Sequence, residues 1–208
     1  MPAEIIDQQE MEEFVRTHLG HRLSAMVAPI CRPDIDNPCC LWKGRNDSYR
    51  AAQEGSYVML RLFVEFLGVK SDRSDPPNLI CDCGALKDDL RLSSFRKWGV
   101  ANLWPKDFDS NQAFIAKIHR TLCKINAHFT YAADDKLLAN YNRVASLESK
   151  DWQIAVEIIL QKLDESFYRK VNQPITVHID LVAAFDAQFV KKLNLKSDVK
   201  GDGLGPPS

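Results

Sequence analysis

The sequence predicts an all-α protein, a helical bundle of four or more long helices with an irregular insertion at about residues 70–108. Apolar residues recur at three- and four-residue steps along several long segments, each with a single apolar stripe. Such stripes are buried most economically against one another. The chain of 208 residues is 45% hydrophobic and 26% charged, which suits one globular core. A single helical domain is therefore expected over residues 1–195.

The first two long helices are predicted within the first 70 residues. The first ends before Pro29, and its apolar face consists of Met11, Phe14, Val15, Leu19, Leu23, Met26 and Val27. The second begins at Asp47 or Ser48, both good N-cap residues. It runs to about Leu67, with Gly68 as its C-cap.

The irregular insertion precedes the third long helix. A short strand is expected at Leu79–Cys83, and a short helix through Leu86, Leu90 and Phe95. Asp109 or Ser110 then caps the third long helix. Its apolar seam is formed by Phe114, Ile118, Leu122, Ile125 and Phe129.

The last part of the chain combines helices, a brief strand and a tail. A short amphipathic piece at Leu137–Ala145 precedes a fourth long helix, which Asn172 and Pro174 stop. Its apolar residues are Trp152, Ala155, Val156, Ile159, Leu160, Leu163 and Phe167. Ile175–Ile179 alternates like a strand, and a last helix follows at 181–193. The Gly and Pro content predicts a flexible tail at 196–208.

Charge and cysteine content narrow the class of protein. Because 27 Lys and Arg balance 28 Asp and Glu, only a local patch can attract nucleic acid. The acidic Met1–Glu13 does not read as a signal peptide, and the most apolar run, Tyr57–Val69, is too short to span a bilayer. Without an export signal, the six cysteines read as reduced thiols. A soluble cytoplasmic protein that does not enter a membrane is expected.

One such patch lies on the third long helix. No acidic residue occurs between Ser110 and Ala133. On a helix, the side chains of Lys117, Arg120, Lys124 and His128 fall within an arc of roughly 80° beside the apolar seam. Lys and Arg can neutralise phosphates there, and His128 can transfer protons near neutral pH.

The patch predicts a nucleic-acid site at Lys117, Arg120 and Lys124, with His128 and Arg120 as catalytic candidates. In the alternative interpretation, the basic face pairs with acids on neighbouring helices. The acids considered for this pairing are Asp164, Glu165, Glu54 and Glu65.

Two thiol patterns are open to a metal or catalytic interpretation. The first pattern consists of Cys39, Cys40, Cys81 and Cys83. Four thiolates would complete a tetrahedral zinc site, but the spacing of these cysteines is unlike that of common zinc knuckles. His119 and Cys123 stand four apart on one helical face, as a nucleophile and base or half of a metal site would. Buried thiols and coincidental spacing explain both patterns more simply. We therefore assign no metal ligand and no cofactor.

Aromatic and basic residues also interleave at 95–106, as in platforms for single-stranded nucleic acid. The favoured interpretation is that Trp98 and Trp104 seal the end of the bundle. No Gly-rich phosphate loop, Walker-type Lys or His-Glu-x-x-His motif is present in the sequence, so no nucleotide cofactor is expected.

The run Lys124–Thr130 resembles an Ala-His-Leu-Thr type signature of uncharacterised bacterial helical proteins of the HEPN-like kind. The stretch Ser48–Gly68 also resembles a bundle helix of such proteins. The resemblance implies an often dimeric helical bundle, many members of which bind or cleave RNA in defence and toxin systems. Catalytic members carry an Arg, four to six residues and a His, whereas seven residues separate Arg120 and His128 here.

No complete catalytic constellation can be assembled from these residues. The sequence therefore favours a non-catalytic, bacterial-type helical interaction or regulatory protein. The alternative is a HEPN-like RNA-binding or RNA-cleaving protein, in which case the enzyme would be a metal-independent ribonuclease. A homodimer is expected in either case.

Overall fold

The computed structural model describes residues 7–28, 45–82, 90–131, 149–177 and 196–197. Within these ranges, only the backbone is described for residues 45–53, 126–131, 149 and 196–197. About 70% of the described residues are helical and little strand is present, which confirms the predicted predominance of helix. None of the described helices combines the length and apolar character that a bilayer span requires.

The first long helix is continuous but changes its winding. Helix α1, Gln8–Glu13, leads into a π-helical segment, Phe14–Leu19, and then into α2, Gly20–Val27. The side chain of Asp7 caps α1 by accepting the amide of Gln9 at 2.6 Å. All seven apolar residues predicted for this face are buried, so the periodicity identified it correctly.

Helix α3, Arg45–Phe66, packs against α2 and ends in a tight turn. Because Arg45 is already helical, Asp47 and Ser48 lie inside α3, and the predicted N-cap was wrong. Gly68 has φ +93° and follows the helix as predicted. A Cβ at this position would lie 2.6 Å from the Cβ of Asn102, so the turn requires glycine.

A small antiparallel hairpin follows Gly68. Strand β1, Val69–Ser71, pairs with β2, Leu79–Cys81, with Val69 opposite Cys81 and Ser71 opposite Leu79. The sequence predicted β2 but not β1. The connecting loop is organised by the carboxylate of Asp72, which accepts hydrogen bonds from Ser74 and Asn78.

Two 3-10 helices, Leu92–Trp98 and Pro105–Asn111, complete the irregular segment. Helix α4, Gln112–Tyr131, then begins slightly later than the predicted caps Asp109 and Ser110. Along α4, Ile118, Leu122 and Ile125 are buried, and Ile115 and Ala116 are buried beside the predicted seam. Phe114 is only partly buried against the core.

Helix α5, Ser149–Leu163, continues into a π-helical segment, Asp164–Tyr168. Asn172 follows with φ +55° and marks the predicted stop. Strand β3, Thr176–Val177, pairs in parallel with β4, Lys196–Ser197, so two residues of the predicted tail form a strand pair.

The core joins the helices through clustered aromatic rings. Phe95 lies 4.8 Å from Phe167 and 5.3 Å from Phe14 between ring centroids, and Phe66 lies 5.9 Å from Phe167. These contacts connect the first helix, α3, the first 3-10 helix and the segment after α5.

Several predicted features lie outside the described residues. They are Cys39, Cys40, Cys83, Leu86, the helices at 137–145 and 181–193, and most of the tail. The number of long helices in the whole chain therefore stays a prediction.

Candidate functional site

His119 is the most deeply buried histidine of the described residues. Its side chain is 3% exposed, and it lies on the inner side of α4 next to the buried Ile118. A buried imidazole needs hydrogen-bond partners, because an unpaired polar ring in the core is costly.

Two other elements supply those partners. The backbone N–H of Ser71, at the end of β1, donates to His119 Nδ1 at 3.1 Å. The Ser71 hydroxyl lies 2.9 Å from the same nitrogen. On the opposite edge of the ring, Nε2 lies 3.3 Å from Oε1 of Glu65, near the end of α3. His119 therefore joins α4 to both the hairpin and α3.

The surroundings of His119 act in opposite directions on its charge. Burial lowers the pKa of His119, but the contacts with Cys123 and Glu65 outweigh burial and raise the pKa to about 9. The Ser71 amide opposes that rise, because an N–H that points at Nδ1 needs a lone pair there. Since a backbone amide cannot rotate away, the neutral form of the ring carries its hydrogen on Nε2, which faces Glu65 Oε1.

Cys123 completes the cluster from one turn further along α4. Its Sγ is 3.7 Å from Nδ1 and 3.8 Å from Nε2 of His119, so it does not select one nitrogen as a hydrogen-bond partner. The predicted proximity of His119 and Cys123 is confirmed. Glu65 adds a third polar group, which the helical spacing of the other two could not reveal. One ligand atom of each residue lies within 4.8 Å of the others. Such a set can hold a proton or coordinate a cation.

The predicted basic patch lies on the outer side of α4. Lys117 and Lys124 are exposed and Arg120 is partly exposed. We refer to these three residues as the basic face. Among the residues whose side chains are described, the basic face makes no ion pair.

Three of the four acids proposed to neutralise the basic face are engaged elsewhere. Asp164 contacts Arg169 at 2.6 Å, and Glu165 contacts Lys162 at 3.4 Å. Glu65 contacts His119. Glu54 makes no ion pair with another described side chain. The pairing interpretation therefore finds no support in the described part of the chain.

Of the two catalytic candidates, the structure describes the side chain of Arg120 but not that of His128. His128 belongs to α4, but its side chain lies outside the description, and so does its distance from Arg120. Of the four cysteines considered for zinc, Cys81 alone is described, and it does not belong to the cluster around His119.

The aromatic and basic segment divides into buried and exposed parts. Phe95 is fully buried, and Trp98 packs partly against the core. Trp104 is 60% exposed, so it does not seal the bundle as the sequence predicted.

Sequence reasoning missed two members of the cluster, Glu65 and Ser71. The sequence suggested Glu65 only as a partner of the basic residues on α4; in the structure its Oε1 also lies 3.5 Å from Arg61 Nε. Ser71 gave no signal, because β1 was not predicted. Only the packing of α3 and the hairpin against α4 brings both residues to His119.

Comparison of the chain with models of known protein families, with curated proteins and with solved structures gave no match. The HEPN-like resemblance is therefore neither supported nor contradicted by these comparisons.

Proposed function

We propose that this chain is a non-catalytic helical interaction protein whose basic face on α4 binds RNA. The observation that carries the proposal is that Lys117, Arg120 and Lys124 form no ion pair with any described side chain, while three of the four acids expected to neutralise them have other partners. Three unneutralised cations on one helix favour an anionic partner.

The chemistry of this surface favours a phosphate backbone over an acidic protein. Protein interfaces depend on aromatic or apolar anchors in well-packed pockets. The large apolar side chains exposed in the described part of the chain are Leu62, Ile80, Trp104 and Ile154, and none lies on α4. Lysine and arginine without such anchors suit a repeating anion.

Binding of a labelled single-stranded RNA, followed by fluorescence anisotropy over a salt series, tests this function. We expect affinity to fall steeply with salt, because each neutralised phosphate releases counterions. Arg120→Ala and Lys124→Ala should each weaken binding and reduce the salt slope by about one unit. Lys150→Ala, which removes an exposed lysine from α5, is the matched control and should change neither quantity.

Two results would contradict RNA binding. One is an affinity that does not depend on salt, and the other is an equal loss of affinity in the Lys150→Ala control. Binding of an acidic protein such as a poly-glutamate carrier, without RNA binding, would instead assign the basic face to a protein partner.

RNA cleavage by His128 and Arg120 is a separate proposal, which rests on the HEPN-like resemblance. If His128 acts as acid or base, His128→Ala should abolish cleavage and leave RNA affinity nearly unchanged. A wild-type protein that binds RNA and leaves it intact would restrict the function to binding.

The proposal also includes a bundle of four or more long helices and its assembly as a homodimer. Light scattering over a concentration series measures the mass directly. A mass that stays at 23.6 kDa would contradict the dimer.

A further inference from the structure

A cavity of about 270 Å³ lies between the first helix and α3. Its inner wall is formed by four side chains that are at most 8% exposed, Phe14, Leu19, Phe63 and Phe66. Its rim is formed by three less buried side chains, Met59, Leu62 and Leu90. Because pockets for small molecules usually measure about 300–1,000 Å³ and have a mostly apolar lining, this cavity suits a small apolar ligand.

One charged side chain, that of Arg22, completes the lining. It is exposed and forms no ion pair with any described side chain. A guanidinium binds a carboxylate through two parallel hydrogen bonds. A ligand with an apolar body and one carboxylate would therefore match both the apolar wall and the unpaired cation.

The π-helical segment of the first helix supplies part of the inner wall. Phe14 and Leu19 are its first and last residues, five positions apart, and both line the cavity. In an α-helix, side chains five apart would diverge by about 140°. The i→i+5 hydrogen bonds of a π-helix bring such residues closer to one face, and π-helical turns occur frequently at functional sites. The unusual winding therefore places both residues in one wall.

From this lining we infer that the cavity binds a small aliphatic carboxylate, with its chain against the apolar wall and its carboxylate at Arg22. A protein partner fits less well, because a protein interface covers about 800 Å² on each partner. Leu62 is the single lining residue among the large apolar side chains exposed in the described part of the chain. The inference is independent of RNA binding, which the basic face of α4 would perform.

Methyl NMR of the full-length chain locates the ligand, because the rim carries a methionine. In protein labelled at the methionine methyl groups, titration with sodium octanoate should shift the Met59 signal until it saturates. Met11 and Met26 are fully buried outside the lining, so their signals should move little. Hexanoate should bind about 15-fold more weakly than octanoate, because each buried methylene strengthens binding about fourfold.

Arg22→Gln tests the role of the charge. It should weaken octanoate binding about fivefold, as expected for the loss of an exposed ion pair. Binding of 1-octanol should not change, because the alcohol carries no charge for the guanidinium to attract. Arg73→Gln, which removes an exposed arginine from the hairpin loop, is the matched control and should bind both molecules normally.

Leu62→Glu tests the rim. Its carboxylate would repel that of octanoate and replace apolar surface, so we expect binding to be weakened by at least about tenfold. Leu62 is 37% exposed, and Ile154, on α5 and outside the cavity, is 36% exposed. Ile154→Glu is therefore the matched control and should bind octanoate normally. Circular dichroism checks the fold of each variant.

A Met59 signal that octanoate does not shift would overturn the inference, and so would an unchanged octanoate affinity in Arg22→Gln. An equal loss of affinity in Leu62→Glu and Ile154→Glu would indicate unspecific adsorption and would also overturn it. A Met59 signal that moves with protein concentration but not with octanoate would instead assign the cavity to a second copy of the chain. If Leu62→Glu fails to fold, the exposed Arg22 decides the question.

Discussion

The aromatic core and the β1–β2 hairpin are held by different forces. In the core, Phe95 is fully buried and its ring packs 4.8 Å from that of Phe167. In the hairpin, the carboxylate of Asp82 contacts Lys70 Nζ at 2.7 Å and Arg91 at 2.8 Å. Apolar packing does not depend on pH, whereas ion pairs do. The two regions should therefore respond differently to acid.

The contacts around the hairpin lower the pKa values of two carboxyl groups, those of Asp82 and Asp72. Burial raises the pKa of Asp82, but Lys70 and Arg91 outweigh burial and hold the pKa below its ordinary value of 3.8. In the loop, hydrogen bonds from Ser74 and Asn78 lower the pKa of Asp72 to about 2. A lowered carboxyl pKa stabilises the fold above the ordinary pKa, and this stabilisation is lost as pH falls through the lowered value.

The largest expected effect is loss of folding in Leu122→Asp. Leu122 is fully buried in the α4 seam, and an unpaired carboxylate there should cost about 4–5 kcal/mol or more, which is enough to unfold a typical domain. Circular dichroism and thermal melting measure this. Ala113→Asp, on the exposed first turn of the same helix, should melt like the wild type. Cooperative melting of Leu122→Asp near the wild-type temperature would contradict the assigned core.

Phe95→Ala should have the next largest effect. We expect it to lower the free energy of unfolding by about 3–5 kcal/mol, because it leaves a cavity among the aromatic rings. Urea denaturation at pH 7 and pH 3 tests the comparison directly. The loss should be the same at both values, since no charge is removed. A loss that shrinks in acid would show that the core also depends on titrating groups.

Asp82→Asn should destabilise the hairpin side by about 3 kcal/mol at pH 7, because a neutral amide replaces the carboxylate that contacts the buried guanidinium of Arg91 at 2.8 Å. The difference in free energy of unfolding between Asp82→Asn and the wild type should narrow as pH falls below 3.8, the ordinary carboxyl pKa, because Asp82 of the wild type then becomes protonated. Asp75→Asn, in the exposed hairpin loop, is the control and should leave the pH profile unchanged. An Asp82→Asn deficit that stays constant with pH would remove the distinction between the two regions.

The smallest effect is expected on the outer side of α4. Lys117→Ala and Lys124→Ala should each change the free energy of unfolding by less than about 0.5 kcal/mol, because both side chains are exposed and without ion pairs in the described part of the chain. Denaturant titration alongside the RNA measurements checks this. A loss above 1 kcal/mol would indicate a structural role for the basic face.

The parts of the fold that could be predicted are those that depend on residues close together in the sequence. The faces of the first helix, α4 and α5 could be read from spacing, because three- and four-residue periodicity is a local property of the helix. The N-terminus of α3 could not, because capping preferences are modest and good caps such as Asp47 also occur inside helices. Strand β1 was missed because three residues carry no periodicity of their own.

The candidate site shows the same division. Residues four apart on one helix face each other, so His119 and Cys123 could be paired in advance. Lys117, Arg120 and Lys124 could be grouped by the same rule. Glu65 and Ser71 lie 54 and 48 residues from His119, and no local rule joins them.

The sequence by itself therefore determined the helical class, the buried faces and the composition of the basic face, all of which depend on side chains within a few turns of one another. Only the tertiary structure decided which acids face which bases, and that His119 meets a carboxylate, a hydroxyl and a thiol at once. The physical reason is that burial makes the partners of a polar group obligatory, while the partners themselves are chosen by how the helices and the hairpin pack.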